Sequence, residues 1–381
     1  MTVQGRSSRL FGKSVGWAAW LCLLSLPWGV GVLTFCAPAA CAAASKPAHQ
    51  GLSLFAKHRV TCAAQTVPTP RGPTHAWLYR PEGLSDAPAL VMVHGVHRDG
   101  ADEVRLKNFA QTLAATGMVV LTPNVQSLAD YRIEKSAVEI IGWSAKALRR
   151  QTGRRVGVMG LSFAGGLCLV AAADRRFAPE IGYVLAVGAH DDLQRVTRFL
   201  LTNEILAPNG ETIKLRADPY GVLLLAYEHA TTILPPSDVE TGRAALRFWL
   251  WGQPEQARLA AARMSLVGRE RVEKLFDGDY TEVTPPLLRQ IERRTAAMRE
   301  VSPHYVLGRI RCPVFLVHGT NDAVVPPSET QWLARGLGGR CRVLISRAVG
   351  HVEVTAEATP TEKLEVAQFL GDFLNMARAV R

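Results

Sequence analysis

The chain has 381 residues, 48% hydrophobic and 20% charged, with 44 Lys and Arg against 33 Asp and Glu for a formal charge of +11. That apolar fraction excludes a disordered chain, and 32 Gly with 22 Pro show no collagen-like or linker-like bias. The charge suggests a polyanion partner only until its position is considered: eight basic residues precede the first acidic one, Glu82, leaving 36 basic against 33 acidic residues, or +3, for the rest of the chain.

Arg6, Arg9 and Lys13 open the sequence, and residues 14–45 carry no charge. A basic flank, the apolar run VGWAAWLCLLSLPWGVGVLTF at residues 15–35 and small residues at 37–45 make an export signature. The run is long enough to span a bilayer, which needs ~20 apolar residues. Residues 1–45 therefore read as a signal peptide, cut at Ala37-Pro38-Ala39 or Ala42-Ala43-Ala44, or as a retained membrane anchor. Lipid attachment at Cys41 is the weaker third outcome, because Pro38 stands where a lipobox has Leu. A buried core helix is disfavoured, since Trp17, Trp20, Leu21, Leu23, Leu24 and Leu26 leave no polar face. The basic flank places the body outside the cytoplasm, periplasmic or held at the membrane by residues 15–35. Of seven cysteines, Cys62, Cys168, Cys312 and Cys341 lie in the body without a C-x-x-C pair, and buried thiols are the simplest reading. An exported location permits a bridge that the sequence does not name.

Beyond the leader, strand-length apolar runs alternate with amphipathic ones. Strands are expected at 58–67, 75–80, 89–95, 118–124, 155–162, 183–189, 313–319 and 341–348, and from residue 89 onward most are nearly continuous apolar runs, as strands covered on both faces must be. Helices are expected at 102–116, 135–150, 163–173, 328–336 and 361–379. Parallel strands with helical crossovers give an α/β fold, a doubly wound and mostly parallel eight-stranded sheet. Residues 190–311 interrupt that rhythm. They read as an inserted helical cap, with Leu287, Leu288, Ile291 and Met298 at helical spacing and 16 acidic and 17 basic residues for polar faces. The body thus divides into a first core part at 50–189, the cap at 190–311 and a second core part at 312–381. The most apolar cap pieces, VLLLAY at 222–227 and RFWLWG at 247–252, either line an acyl pocket or dock the cap on the core.

The sharpest chemical signal is VMGLSFAGG at 158–166, where a strand ends and a helix begins. A serine hydroxyl is a weak nucleophile unless a base takes its proton and a turn lifts it clear of the sheet. Gly160 and Ala164, two positions either side of Ser162, allow that tight turn, and the N–H of Phe163 at the helix N-terminus faces a developing oxyanion.

In this order of parts the body resembles the α/β-hydrolase fold superfamily, whose catalytic residues follow as Ser, acid, His. His94-Gly95-Val96-His97-Arg98-Asp99-Gly100 is similar to the H-G-x-x-x-G oxyanion loop, which implies Val96 as the second N–H donor beside Phe163. Gly319-Thr320-Asn321-Asp322-Ala323-Val324-Val325-Pro326 resembles G-x-x-D-x-x-V-P, which implies Asp322 as the acid, and Val349-Gly350-His351 supplies the base. The segment 302–313 resembles the return from cap to core. Because some members carry the acid after the strand that here ends near Ala189, Asp191 is the reserve acid. The resemblance implies a serine hydrolase of dienelactone-hydrolase or serine-esterase type, acting on a carboxylic ester without a cofactor. Ser162 in place of Cys separates it from dienelactone hydrolases, and Ser in place of Asp from epoxide hydrolases and dehalogenases. A small-peptide or amide hydrolase, an acyltransferase, and an idle member that binds a ligand or partner through its cap are the alternatives.

His94 and His97 share an H-x-x-H spacing but no helix and no further ligand set, so no metal is expected. His304 and His318 read as structural, and Arg98, next to the oxyanion loop, as a solvated loop charge in preference to a contact for an acidic substrate. Expected partners are a small ester or amide, with membrane contact only through the N-terminal segment and no nucleic acid.

Overall fold

The computed structural model describes residues 57–352 and 358–381. The leader lies outside them; among the described residues no helix is long and apolar enough to cross a membrane. The first core part runs β1 (Val60–Val67), β2 (Thr74–Pro81), β3 (Ala89–Val93), α1 (Val104–Ala115), β4 (Val119–Pro123), α2 (Gln126–Ala129), α3 (Lys135–Thr152), β5 (Val156–Leu161), α4 (Phe163–Ala173) and β6 (Ile181–Val187). The cap follows as α5 (Leu193–Thr202), β7 (Glu204–Leu206), β8 (Thr212–Lys214), α6 (Pro219–Glu228), α7 (Ala230–Ile233), α8 (Val239–Leu250), α9 (Pro254–Ala261), α10 (Leu266–Phe276), α11 (Thr284–Arg293) and α12 (Thr295–Arg299). The chain then returns through β9 (Val314–Gly319), α13 (Ser328–Leu337), β10 (Cys341–Ser346) and α14 (Pro360–Ala379).

The main sheet has eight strands in the order β1-β2-β4-β3-β5-β6-β9-β10. Only β2 runs against the rest, pairing antiparallel with β1 and β4, while every other ladder is parallel. Every residue of β3, β4, β6 and β9 is buried, which is why those segments are uninterrupted apolar runs. Edge strands β1 and β10 alternate or expose residues instead. Helices α1 and α14 cover one face, packing Leu106, Leu113, Phe369 and Phe373 onto the sheet. Helices α3, α4 and α13 cover the other, and the apolar interior of the cap is continuous with that second layer.

The cap is mostly helical but carries, after α5, a two-stranded antiparallel ladder, β7 on β8, which departs from an all-helical insertion. All three β8 residues are exposed, so this ribbon carries none of the apolar periodicity by which strands are recognised. Neither apolar cap piece behaves as an acyl-pocket wall. Val222 to Ala226 of α6 are buried in the cap interior, and Trp249 stacks on Phe276 with ring centroids 4.0 Å apart.

Candidate active site

Ser162 sits between β5 and α4 with φ 57° and ψ −135°, a left-handed conformation that costs a non-glycine residue roughly 1–3 kcal/mol and persists only when the surroundings enforce it. They do so with backbone bonds, the Ser162 N–H donating to Val187 O at 2.7 Å and the Gly165 N–H to Ser162 O at 2.8 Å. The turn also needs Gly160, where a Cβ would lie 2.2 Å from the Ala164 carbonyl oxygen. Helix α4 begins immediately after, so its first-turn N–H groups, that of Phe163 included, have no acceptor within the helix.

The loops after β9 and β10 bring the two remaining groups to this turn. His351 Nε2 lies 2.7 Å from Ser162 Oγ, and His351 Nδ1 lies 2.6 Å from Asp322 Oδ2. Close approach of the histidine loop depends on Gly188, at φ 62°, where a Cβ would come 2.6 Å from His351 O. The Asp322 side chain is fully buried. Its Oδ1 accepts the N–H groups of Val324 and Val325, each at 2.9 Å. Burial alone would raise its pKa, but the adjacent His351 and His318 hold the carboxyl well below the usual range, so it is an anion at neutral pH.

His318 is more than a strand end. Its Nε2 faces two acceptors, Val325 O at 2.7 Å and Asp322 Oδ2 at 3.2 Å, so that nitrogen carries the proton. Nδ1 then accepts the Thr330 hydroxyl at 2.7 Å. The second imidazole therefore orients the same carboxylate oxygen that His351 uses. From the sequence the only pointer is its place four residues before Asp322.

Asp191 is not brought to His351, which corrects its standing as reserve acid. It belongs to a buried network behind the site, accepting from Arg195 at 2.9 Å and His304 Nδ1 at 2.9 Å. Glu329 completes that network, accepting the N–H groups of Asp191 and Asp192 and pairing with Arg195 at 2.6 Å. Arg195 begins the cap and His304 ends it, so the network fastens both cap junctions to α13.

The loop after β3 is held by His94. Val125 N–H donates to His94 Nε2 at 3.0 Å, which leaves Nδ1 as the donor to Gly95 O at 2.7 Å. Burial lowers the His94 pKa to about 4, so both nitrogens serve in the neutral ring. Gly95 O belongs to the peptide whose other end is the Val96 N–H; in a trans peptide the two point oppositely, so fixing the carbonyl aims the donor. Val96 and Phe163 line one cavity with Ser162 and His351, of about 390 Å³, walled by Leu106, Phe109, Met159 and Val187. Tyr220 of α6 is the cap residue at this wall, which no sequence pattern had marked.

Residues 75–349, more than half of the chain, match the family model described as X-Pro dipeptidyl-peptidase (S15 family). The chain belongs to the S15 peptidase family. Its sheet order is that of the α/β-hydrolase fold. No curated protein matches it in sequence. Similar solved structures include a puromycin-hydrolysing peptidase of Mycobacterium tuberculosis, 18% identical over 86% of this chain and 40% of that one with a TM-score of 0.47. An acylaminoacyl peptidase of Pyrococcus horikoshii is 14% identical over 83% of this chain and 41% of that one, TM-score 0.49. Est1E of Butyrivibrio proteoclasticus is 14% identical over 83% and 99%, TM-score 0.46. The chain thus spans about two fifths of the length of the first two.

Proposed function

We propose that this S15 family member hydrolyses a compact amide or peptide bond through an acyl-enzyme on Ser162, with His351 as the base and Asp322 as the acid. The observation that carries the reading is the pair of contacts at 2.7 and 2.6 Å opening on a largely apolar cavity. Ser162 Oγ attacks the carbonyl carbon while His351 Nε2 takes the hydroxyl proton, and the carbonyl electron pair moves to oxygen. The N–H groups of Val96 and Phe163 hold that oxyanion, a donor in such a place being worth roughly 3 kcal/mol. Collapse breaks the C–N bond, His351 returns its proton to the departing amine, and water repeats the sequence to release the acid. Asp322 keeps Nδ1 protonated and stabilises the imidazolium.

Family membership favours an amide over the carboxylic ester expected from the motifs. The cavity adds a preference for a blocked amino end. Glu103 at its wall already accepts the Leu106 N–H at 2.8 Å and pairs with Arg105, so that carboxylate is neutralised before substrate arrives. A blocked aminoacyl amide or an ester of the same acyl group suits this wall better than a free ammonium. The test sets an N-acyl-aminoacyl anilide, the matched ester and a free-amino X-Pro anilide side by side. A higher kcat/KM for the blocked substrates supports the reading, and a preference for the free-amino X-Pro substrate overturns it. Ser162→Ala should abolish turnover and fluorophosphonate labelling in a folded protein; turnover near wild type would sink the nucleophile assignment. Absence of labelling in folded wild type would favour an idle, ligand-binding member.

A further inference from the structure

Helix α6 starts with Asp218-Pro219-Tyr220-Gly221, a compact initiation signal: the Asp218 carboxylate accepts the Tyr220 N–H at 2.8 Å, and Pro219 occupies a first-turn position that needs no donor. The helix packs tightly into the cap, since a Cβ on Gly221 would come 2.4 Å from Leu200 of α5. From this rigid start two bonds leave the cap for the core. The Tyr220 hydroxyl donates to Val96 O at 3.0 Å, and the Asp218 N–H donates to Ala323 O at 2.9 Å. Val96 is in the oxyanion loop and Ala323 follows Asp322.

We propose that Tyr220 is a positioning residue through which the cap holds the oxyanion donor in register with the acid loop. This inference rests on the acyl-enzyme reading above. The oxyanion loop carries one peptide on each side of Val96: His94 fixes the Gly95 carbonyl and Tyr220 fixes the Val96 carbonyl. With both carbonyls held, the intervening N–H has one direction in which to point. The same turn of α6 bonds to the loop of Asp322, so oxyanion donor and acid are referred to one rigid element instead of to two independent loops. Burial at the cavity wall raises the Tyr220 pKa above its ordinary value, and the phenol stays a donor throughout the working range. A donor aimed in advance stabilises the transition state without reorganising, so its loss falls on kcat.

Tyr220→Phe removes the hydroxyl and keeps the ring. The expected result is a kcat about tenfold lower with KM within about twofold, matching one hydrogen bond of ordinary strength. A trifluoromethyl ketone carrying the substrate's acyl group binds as the oxyanion, and its affinity should weaken by the same factor while the melting temperature hardly moves. An unchanged kcat overturns the proposal. So does a rise in KM at constant kcat, which would make the Tyr220 hydroxyl a substrate contact and not a support of the oxyanion loop, and so does a loss of activity that leaves ketone affinity intact. Ser162→Ala measured alongside separates the two levels: if that variant still turns over, the acyl-enzyme reading fails; if it is dead while Tyr220→Phe is normal, only the positioning role fails.

Discussion

Two buried carboxylates of the molecule, Asp322 and Asp191, bond histidine side chains, and their settings differ. In the core, Asp322 faces His351 and His318 with two backbone N–H groups on its other oxygen, and the imidazole of His351 is a quarter exposed at a cavity that holds Ser162. At the cap junction, Asp191 meets His304 at the same kind of distance, but Arg195 shares the carboxylate and Glu329 closes the circle. Hydrogen-bond geometry alone does not distinguish a catalytic pair from a fastening. What distinguishes them is the third partner, a serine hydroxyl at the cavity in one case and a guanidinium in the other.

Substituting each acid breaks this comparison most sharply. Asp322→Asn should lower kcat by about 10⁴ while leaving the fold, since the amide reverses the tautomer that His351 needs. Asp191→Asn should leave kcat within about threefold and cost ~3 kcal/mol of stability, the order expected when one member of a buried ionic network is neutralised. Kinetics and denaturant unfolding on both variants check this. A large kcat loss for Asp191→Asn would return that residue to the catalytic machinery.

The next effect is one of pH. His94 has a pKa lowered to about 4 by burial, against 6.5 when solvated, so the folded state holds it neutral where the unfolded chain protonates it. A depressed folded pKa contributes stability that is complete above pH 6.5 and is lost as pH falls toward 4. The shift corresponds to roughly 3 kcal/mol. His94→Gln should flatten that part of the stability-against-pH curve while lowering stability at neutral pH, because Val125 N–H and Gly95 O lose one or both partners. Urea unfolding at pH 7 and at pH 4.5 measures it; an unchanged slope would show that other groups carry the acid sensitivity. Asp322 would not mimic this, since its low pKa places its own loss of stability at still lower pH.

The contrast between core and cap also explains what the sequence discloses. Core strands are buried on both faces, so β3, β4, β6 and β9 announce themselves as apolar runs, and the turn at Gly160 and Ser162 needs small residues at fixed offsets. The acid loop follows one such strand, β9, and the histidine loop follows the last strand, the edge strand β10, so the places of Asp322 and His351 could be read from strand order. The cap offers no such rule. Its helices are short, its ribbon β7–β8 is three residues a side with β8 wholly exposed, and its junction charges find partners more than a hundred residues away, as His304 does in Asp191. Tyr220 was invisible for the same reason: a tyrosine in a helix-starting turn gains meaning only when folding puts Val96 opposite its hydroxyl.

The smallest effect concerns the apolar cap pieces. Trp249 lies half-buried on α8, stacked at an interplanar angle of 5° on Phe276, with the Arg258 guanidinium 5.5 Å above its ring, and the cavity at Ser162 is walled from the core side by Leu106, Phe109, Met159 and Val187. Trp249→Ala should therefore cost about 2 kcal/mol through lost stacking and burial and leave the preference among acyl chain lengths untouched. Met159→Ala, at the cavity floor, should do the reverse in kind, shifting that preference toward longer chains. If Trp249→Ala moved the chain-length profile and Met159→Ala did not, the acyl group would lie under the cap, and the division of labour between a core that grips the substrate and a cap that steadies the loops would be inverted.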